Sequence, residues 1–228
     1  MDSTDQYRYE RKFFVSHLSV HEVESVIKHH PFMFSEIYHQ RFVNNIYLDS
    51  IALHNYLDNL DGNTRRIKFR IRWYGKLFEE IKKPILEKKI KNGFLGRKEK
   101  YPLIPFNVKN GFTKNILFDI IHNSDLPKNI KGNLQLSYPT LINSYSRRYF
   151  QSADRSFRIT LDSDQIFYKV ESGYNSFIGR STDNVNLILE LKYNQDMEHR
   201  AQFITNHFPF RMTKNSKYSN GIERILFL

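Results

Sequence analysis

The chain has 228 residues, 40% of them hydrophobic and 15% aromatic, which suits one folded domain spanning 1–228 and excludes a disordered segment. Lys and Arg number 35 against 24 Asp and Glu, a formal charge of +11, so a polyanion is the first partner to seek: nucleic acid, membrane or phosphate. No cysteine is present, which excludes disulfides, thiolate zinc sites and cysteine nucleophiles. In chain order, alternation of apolar and charged residues predicts a strand over 8–14, and the capping box Ser19/Glu22 opens a helix over 20–30. A strand over 43–49 and a helix over 51–59 follow, then strands over 66–74, 85–91 and 97–101 and a helix over 113–123. Further strands are expected over 141–151, 157–162 and 165–169; Asp162 could bind a metal, although Leu161-Asp162-Ser163-Asp164 more often forms a turn with side-chain caps. A strand over 187–193, a helix over 197–207 and a helix after Ser216 complete the chain. Successive strands without a regular βαβ rhythm, no repeats and no Pro/Gly/Ser linker point to a single α+β domain on a large antiparallel sheet. The N-terminus carries no secretory pattern and the longest apolar stretches fall far short of the ~20 residues of a membrane helix, so a soluble, cytoplasmic chain is expected.

The chemistry is concentrated in the alternating strands. Arg66, Lys68, Arg70 and Arg72 point one way while Ile67, Phe69, Ile71 and Trp73 point the other. An ordinary half-solvated strand shows the same pattern. The pattern returns with carboxylates in Glu10/Lys12, Glu87/Lys89 and Glu190/Lys192, each acid and base two residues apart on one strand face. If these faces line the inside of a barrel, like charges at close range repel by several kcal/mol per pair at an effective dielectric of about 20, so an anion or ordered solvent is required there. Arginine forks and movable lysines together suit a chain of phosphates, and the interleaved carboxylates suggest a metal, which a pure polyanion binder would not need.

An ordered set of motifs covers nearly the whole chain: Tyr9-Glu10-Arg11-Lys12-Phe13, Asn45-Ile46-Tyr47-Leu48-Asp49, Ile67-Lys68-Phe69-Arg70-Ile71-Arg72, Leu86-Glu87-Lys88-Lys89, Arg97-Lys98-Glu99-Lys100, Ser144-Tyr145-Ser146-Arg147-Arg148, Arg158-Ile159-Thr160-Leu161-Asp162, Leu189-Glu190-Leu191-Lys192 and Lys214-Asn215-Ser216-Lys217-Tyr218. In these the chain resembles the triphosphate tunnel metalloenzymes (CYTH-like) and, within them, the VTC-type polyphosphate polymerase domain. The resemblance implies an eight-stranded antiparallel β-barrel with flanking helices, whose basic tunnel transfers the γ-phosphate of ATP to a growing inorganic polyphosphate chain beside Mn²⁺ or Mg²⁺. Carried over by motif, Arg70, Arg72, Arg147 and Lys89 form the catalytic set, and Lys12, Lys98, Tyr145, Arg158, Lys192, Lys214, Ser216 and Lys217 bind phosphate or nucleotide. Glu190 is the foremost metal ligand, with Glu10 and Glu87 beside it. ATP and polyphosphate or pyrophosphate are the implied partners, nucleic acid is not expected, and any membrane coupling would come from another polypeptide. The hydrolase and cyclase branch opens with Glu-x-Glu-x-Lys, whereas here Arg8 stands at the first acid. That weakens a two-metal hydrolase. Rival readings are an inorganic or nucleoside triphosphatase of the same tunnel and a non-catalytic polyphosphate or nucleotide-binding module.

Overall fold

The computed structural model describes residues 7–93, 95–109, 111–171, 177 and 179–226. In chain order these form β1 (Arg8–Val15), α1 (Val20–Lys28), β2 (Ser35–Asp49), α2 (His54–Leu60), β3 (Arg65–Tyr74), β4 (Glu80–Ile81), β5 (Ile85–Asn92), β6 (Leu95–Pro102), β7 (Phe106–Asn107), α3 (Lys114–Asn123), α4 (Lys128–Leu134), β8 (Tyr138–Gln151), β9 (Phe157–Lys169), β10 (Arg180–Asp183), β11 (Leu187–Asn194), α5 (Glu198–Asn206) and α6 (Lys217–Leu226). The main sheet runs β10-β9-β11-β1-β6-β5-β3-β2-β8, and β8 also pairs with β9. Eight antiparallel strands therefore close into a ring, the barrel-like α+β arrangement expected, with β10 appended to β9. Closure satisfies the backbone groups that sheet edges would expose.

One joint is narrow. Among the described residues β1 meets β6 only at Arg8↔Gly96 and Tyr9↔Leu95. Beyond it the tail leading to α6 lies along β1: Phe13 bridges Met212, the Thr213 amide donates to the Lys12 carbonyl at 2.8 Å, and the Lys12 ammonium donates to the Asn215 carbonyl at 2.8 Å.

Period-two alternation sorts the side chains into an apolar outside and a charged inside. One outer core packs Phe69, Ile71, Trp73 and Leu86 of β3 and β5 against Leu117, Ile120, Ile130 and Leu134 of α3 and α4. The other packs Phe13, Ile159, Leu189 and Leu191 against Val23 and Ile27 of α1 and Ala201 and Ile204 of α5. α1 starts where the capping box places it, with the Ser19 amide donating to Glu22 at 2.7 Å and the Glu22 amide to the Ser19 hydroxyl at 3.3 Å. α6 is different, because it packs on inward-facing Tyr47, Leu141 and Phe167 through Tyr218, Ile222 and Ile225, and so occupies one end of the lumen. Gly221 allows that approach: a Cβ there would collide with Leu141 and stand 2.6 Å from the Phe167 ring.

Two expectations are corrected and one element is added. β2 begins at Ser35 rather than at 43, because the exposed stretch before Val43 extends the pairing with β8 through two irregularities despite having no clean alternation. The turn expected at Leu161-Asp162-Ser163-Asp164 does not form; β9 runs through it, with Asp164 alone taking a left-handed φ of 52°. α4 was not anticipated, since seven residues containing Gly132 carry little helical pattern, and it is held by burying Ile130 and Leu134. No helix among the described residues is long and apolar enough to cross a membrane.

Candidate active site

The inward faces form three linked ion-pair groups. At the floor, Asp162 is fully buried and accepts from the Arg147 guanidinium at 2.6 Å and lies 2.5 Å from the Lys217 ammonium. Glu190, across the β11–β9 ladder, faces Lys192 at 2.7 Å, Lys12 at 3.5 Å, Arg147 at 3.6 Å and Lys217 at 3.8 Å, and the Thr160 hydroxyl donates to it at 3.4 Å. Toward the rim, Glu10 pairs with Lys89 at 3.0 Å and with Lys192 at 3.8 Å. On β3 and β5, Glu87 is held by Arg70 at 2.6 Å, Lys98 at 3.1 Å and Arg72 at 3.6 Å. Side-chain exposure rises from 0% at Asp162 to 37% at Lys89, which orders these groups from floor to rim.

Tyr145 joins the groups. Its hydroxyl accepts from Arg72 at 3.1 Å, while Arg147 and Lys217 sit over its ring at 5.1 and 4.9 Å. Asn45 accepts from Arg72 at 2.9 Å and donates to Asn143 at 2.8 Å, which fixes the Arg72 fork.

The electrostatics follow from this crowding. Burial by itself would raise the Glu190 carboxyl, but Lys192, Lys12, Lys217 and Arg147 hold it well below the ordinary carboxylate range. Burial opposes ionisation of Glu87 and Glu10 too, and is outweighed by Arg70, Arg72 and Lys98 at the first and by Lys89, Lys12 and Lys192 at the second. All stay ionised. The cations are less well served: eight of them, Lys12, Arg70, Arg72, Lys89, Lys98, Arg147, Lys192 and Lys217, share the four carboxylates Glu10, Glu87, Asp162 and Glu190. Burial pulls the Lys98 ammonium down to about 7, Glu87 opposing and Arg72, Arg70 and Lys192 adding to the pull. Burial, then Arg66 and Lys89, bring Lys68 and Lys91 to about 8.

A polyanion would restore those protons. Metal-free tripolyphosphate should therefore bind with proton uptake, and its affinity should fall as the pH rises through about 7 and then about 8, where Lys98 and then Lys68 and Lys91 lose their charge. Calorimetry in two buffers of different ionisation heat reads both quantities, and an affinity flat across that window would mean these lysines do not face the ligand.

Of the residues expected at the site, the structure links Lys12, Lys89, Arg147, Lys192 and Lys217 with Glu10 and Glu190, gathers Arg70, Arg72 and Lys98 around Glu87, and places Tyr145 between the two sets. Arg158 lies on the same face but is exposed at the rim, opposite Lys192. Ser216 caps α6 through the Ser219 amide at 3.3 Å, and Lys214 stands exposed with no polar contact among the described residues. Glu87 is not brought to Glu190 and Glu10; three cations engage it in a group of its own. In the sequence Asp162 closes the expected strand over 157–162, as a metal ligand or as part of a turn; the structure instead makes it the buried partner of Arg147 and Lys217, on the face it shares with Arg158 and Thr160. In the sequence Asn45 has no role assigned beyond its place in a motif, and only the fold reveals its bond to Arg72.

No group of three or more Asp, Glu or His among the described residues is placed to hold a metal ion. Glu190 and Glu10, both within reach of Lys192, supply two hard oxygen donors. They fit a divalent cation of the Mg²⁺ kind, which takes one or two carboxylates and completes its shell with water and phosphate oxygens.

Solved structures with the same fold include a candidate adenylyl cyclase from Hippeastrum with a dominant triphosphatase activity, 11% identical with a TM-score of 0.53 over 94% of this chain and 93% of that one. Candidate adenylate cyclases from Bacillus halodurans (12% identity, TM-score 0.53, 95% and 98% covered) and Vibrio parahaemolyticus (12%, 0.51, 98% and 99%) are similar. No curated protein sequence matches significantly. The ring of strands with its charged interior is thus a CYTH-like triphosphate tunnel fold. Within that class the chain belongs to the VTC domain family, whose sequence model matches residues 7–226.

Proposed function

We propose that the chain is a polyphosphate polymerase that extends inorganic polyphosphate from ATP. The observation that carries this reading is the lumen's charge: eight cations around four carboxylates leave it poised for a polyanion. The triphosphate lies among Arg70, Arg72, Arg147 and Lys89, with Lys12, Lys98, Tyr145, Arg158 and Lys192 along its length. A terminal oxygen of the growing chain attacks the γ-phosphorus in line, forming a new P–O–P bond as the bond to the β-bridging oxygen breaks and ADP leaves with the electron pair. The acceptor is already ionised and needs no strong general base. Arg70, Arg72 and Arg147 neutralise charge on the transferring group, held in place by Glu87, Asn45 and Asp162. Lys217, at the start of α6, meets the phosphate end near Asp162 and Glu190, with Lys214 and Ser216 on the approach. A divalent metal, Mn²⁺ or Mg²⁺, held by Glu190 and Glu10 would withdraw charge from phosphate oxygens.

The competing reading is a triphosphatase with water as acceptor. Arg8 counts against it: exposed at the start of β1, between Gly96 and Asn194, it supplies no carboxylate at the position where the hydrolase branch has its first acid. Incubation with ATP and Mn²⁺ or Mg²⁺, with and without pyrophosphate, decides between them. ADP with long chains and little free phosphate is expected. Free phosphate or tripolyphosphate without chains would make the protein a hydrolase.

A further inference from the structure

Beside the tunnel rim lies a cleft of about 490 Å³ whose polar lining is Ser35, Gln151, Ser152, Arg155 and Arg158, with Ile37 and Ala153 as its apolar part. It continues the tunnel wall. From floor to rim the facing strands β9 and β11 carry Asp162, then Thr160 with Glu190, then Arg158 with Lys192; Gln151 stands opposite Arg158, and Ser35 opposite Gln151. Arg155 follows on the turn between β8 and β9, its amide donating to the Ser152 carbonyl at 2.9 Å and its carbonyl accepting from the Gln151 side chain at 3.1 Å.

The two arginines of this cleft differ from those inside. Arg70, Arg72 and Arg147 are each paired with a carboxylate, whereas neither Arg155 nor Arg158 has an acidic partner among the described residues. The nearest acid in sequence, Asp154, is engaged by Arg200 at 2.8 Å, by the Ser152 hydroxyl and by the Ser156 amide. Arg155 also holds a left-handed φ of 62°, a conformation that costs an ordinary side chain energy. No aromatic residue among the described ones lines the cleft, so they offer no platform for stacking bases, while guanidiniums without an acidic partner next to a hydroxyl and an amide suit closely spaced phosphates.

We propose that this cleft is a second phosphate-binding site, a track for the part of a linear polyphosphate chain that extends beyond the tunnel. The inference rests on the tunnel taking polyphosphate, and it deepens that reading by making affinity depend on chain length. A chain whose end sits near Lys217 and Glu190 passes Lys192 and Arg158 and reaches Arg155; a triphosphate confined to the tunnel does not.

Binding to preformed chains tests this without turnover. The affinities of the full chain and its Arg155→Asn variant for tripolyphosphate and for long-chain polyphosphate are compared across a salt series, asparagine being chosen because it tolerates a left-handed backbone. Arg155→Asn should weaken long-chain polyphosphate about tenfold and reduce its salt slope by about one, leaving tripolyphosphate within about twofold. Equal losses for both ligands, or no loss for either, would overturn the track. So would an equal loss for a single-stranded oligonucleotide, which would mark a general polyanion surface. Failure of wild-type protein to bind either phosphate ligand would instead remove the tunnel reading itself.

Discussion

Asp162→Asn should destabilise the fold by about 3–5 kcal/mol, a large part of the about 5–15 kcal/mol that holds a domain of ordinary size. The carboxylate is fully buried and its two partners, Arg147 and Lys217, are nearly so. Removing its charge leaves both cations in the floor with only Glu190 nearby, at 3.6 and 3.8 Å. The distinguishing expectation is rescue. Tripolyphosphate returns negative charge to that floor, so it should raise the melting temperature of the variant more than that of the wild type. Thermal unfolding with and without the ligand measures both effects. A variant as stable as wild type, or one stabilised no more by tripolyphosphate, would show that Asp162 is not the counter-ion of the phosphate floor.

Glu190→Gln should move binding and turnover in opposite directions. Four cations crowd this carboxylate, so neutralising it frees them, and metal-free tripolyphosphate should bind more tightly than to wild type. Transfer should meanwhile fall by about 10²–10³ or more, the loss usual when a group that stabilises developing charge is removed. Arg72→Ala is its mirror image: the fork fixed by Asn45 and Tyr145 is lost and both binding and turnover decline. Tighter binding with undiminished turnover in Glu190→Gln would separate Glu190 from the chemistry.

What the sequence revealed and what it hid have physical reasons. Alternation made β1, β3, β5 and β11 legible, because their charged and apolar faces see different surroundings and a slip of one residue would exchange them. The same rule placed Lys12, Arg70, Arg72 and Glu190 on inward faces. Local cues misled at Asp162, where a turn-forming composition was overridden by buried ion pairs with residues from β8 and α6. The separation of Glu87 from Glu10 and Glu190 lay beyond reach, since it depends on which strands become neighbours around the ring. α6 inside the lumen was hidden for a related reason: its apolar stripe shows that it packs, and only the tertiary fold shows that it packs inward.

The narrow joint beside β1 has a consequence for biosynthesis. Residues 212 to 215 run along the strand that begins at Arg8, so the barrel wall is completed by contacts spanning some of the greatest sequence separations in the chain. Contacts of that kind form late, after most of the loop-closing entropy has been lost. A nascent chain that has not yet released this tail is a cationic gutter, open along one flank and empty at the end that α6 will fill. Lumen and floor are completed together, by α6.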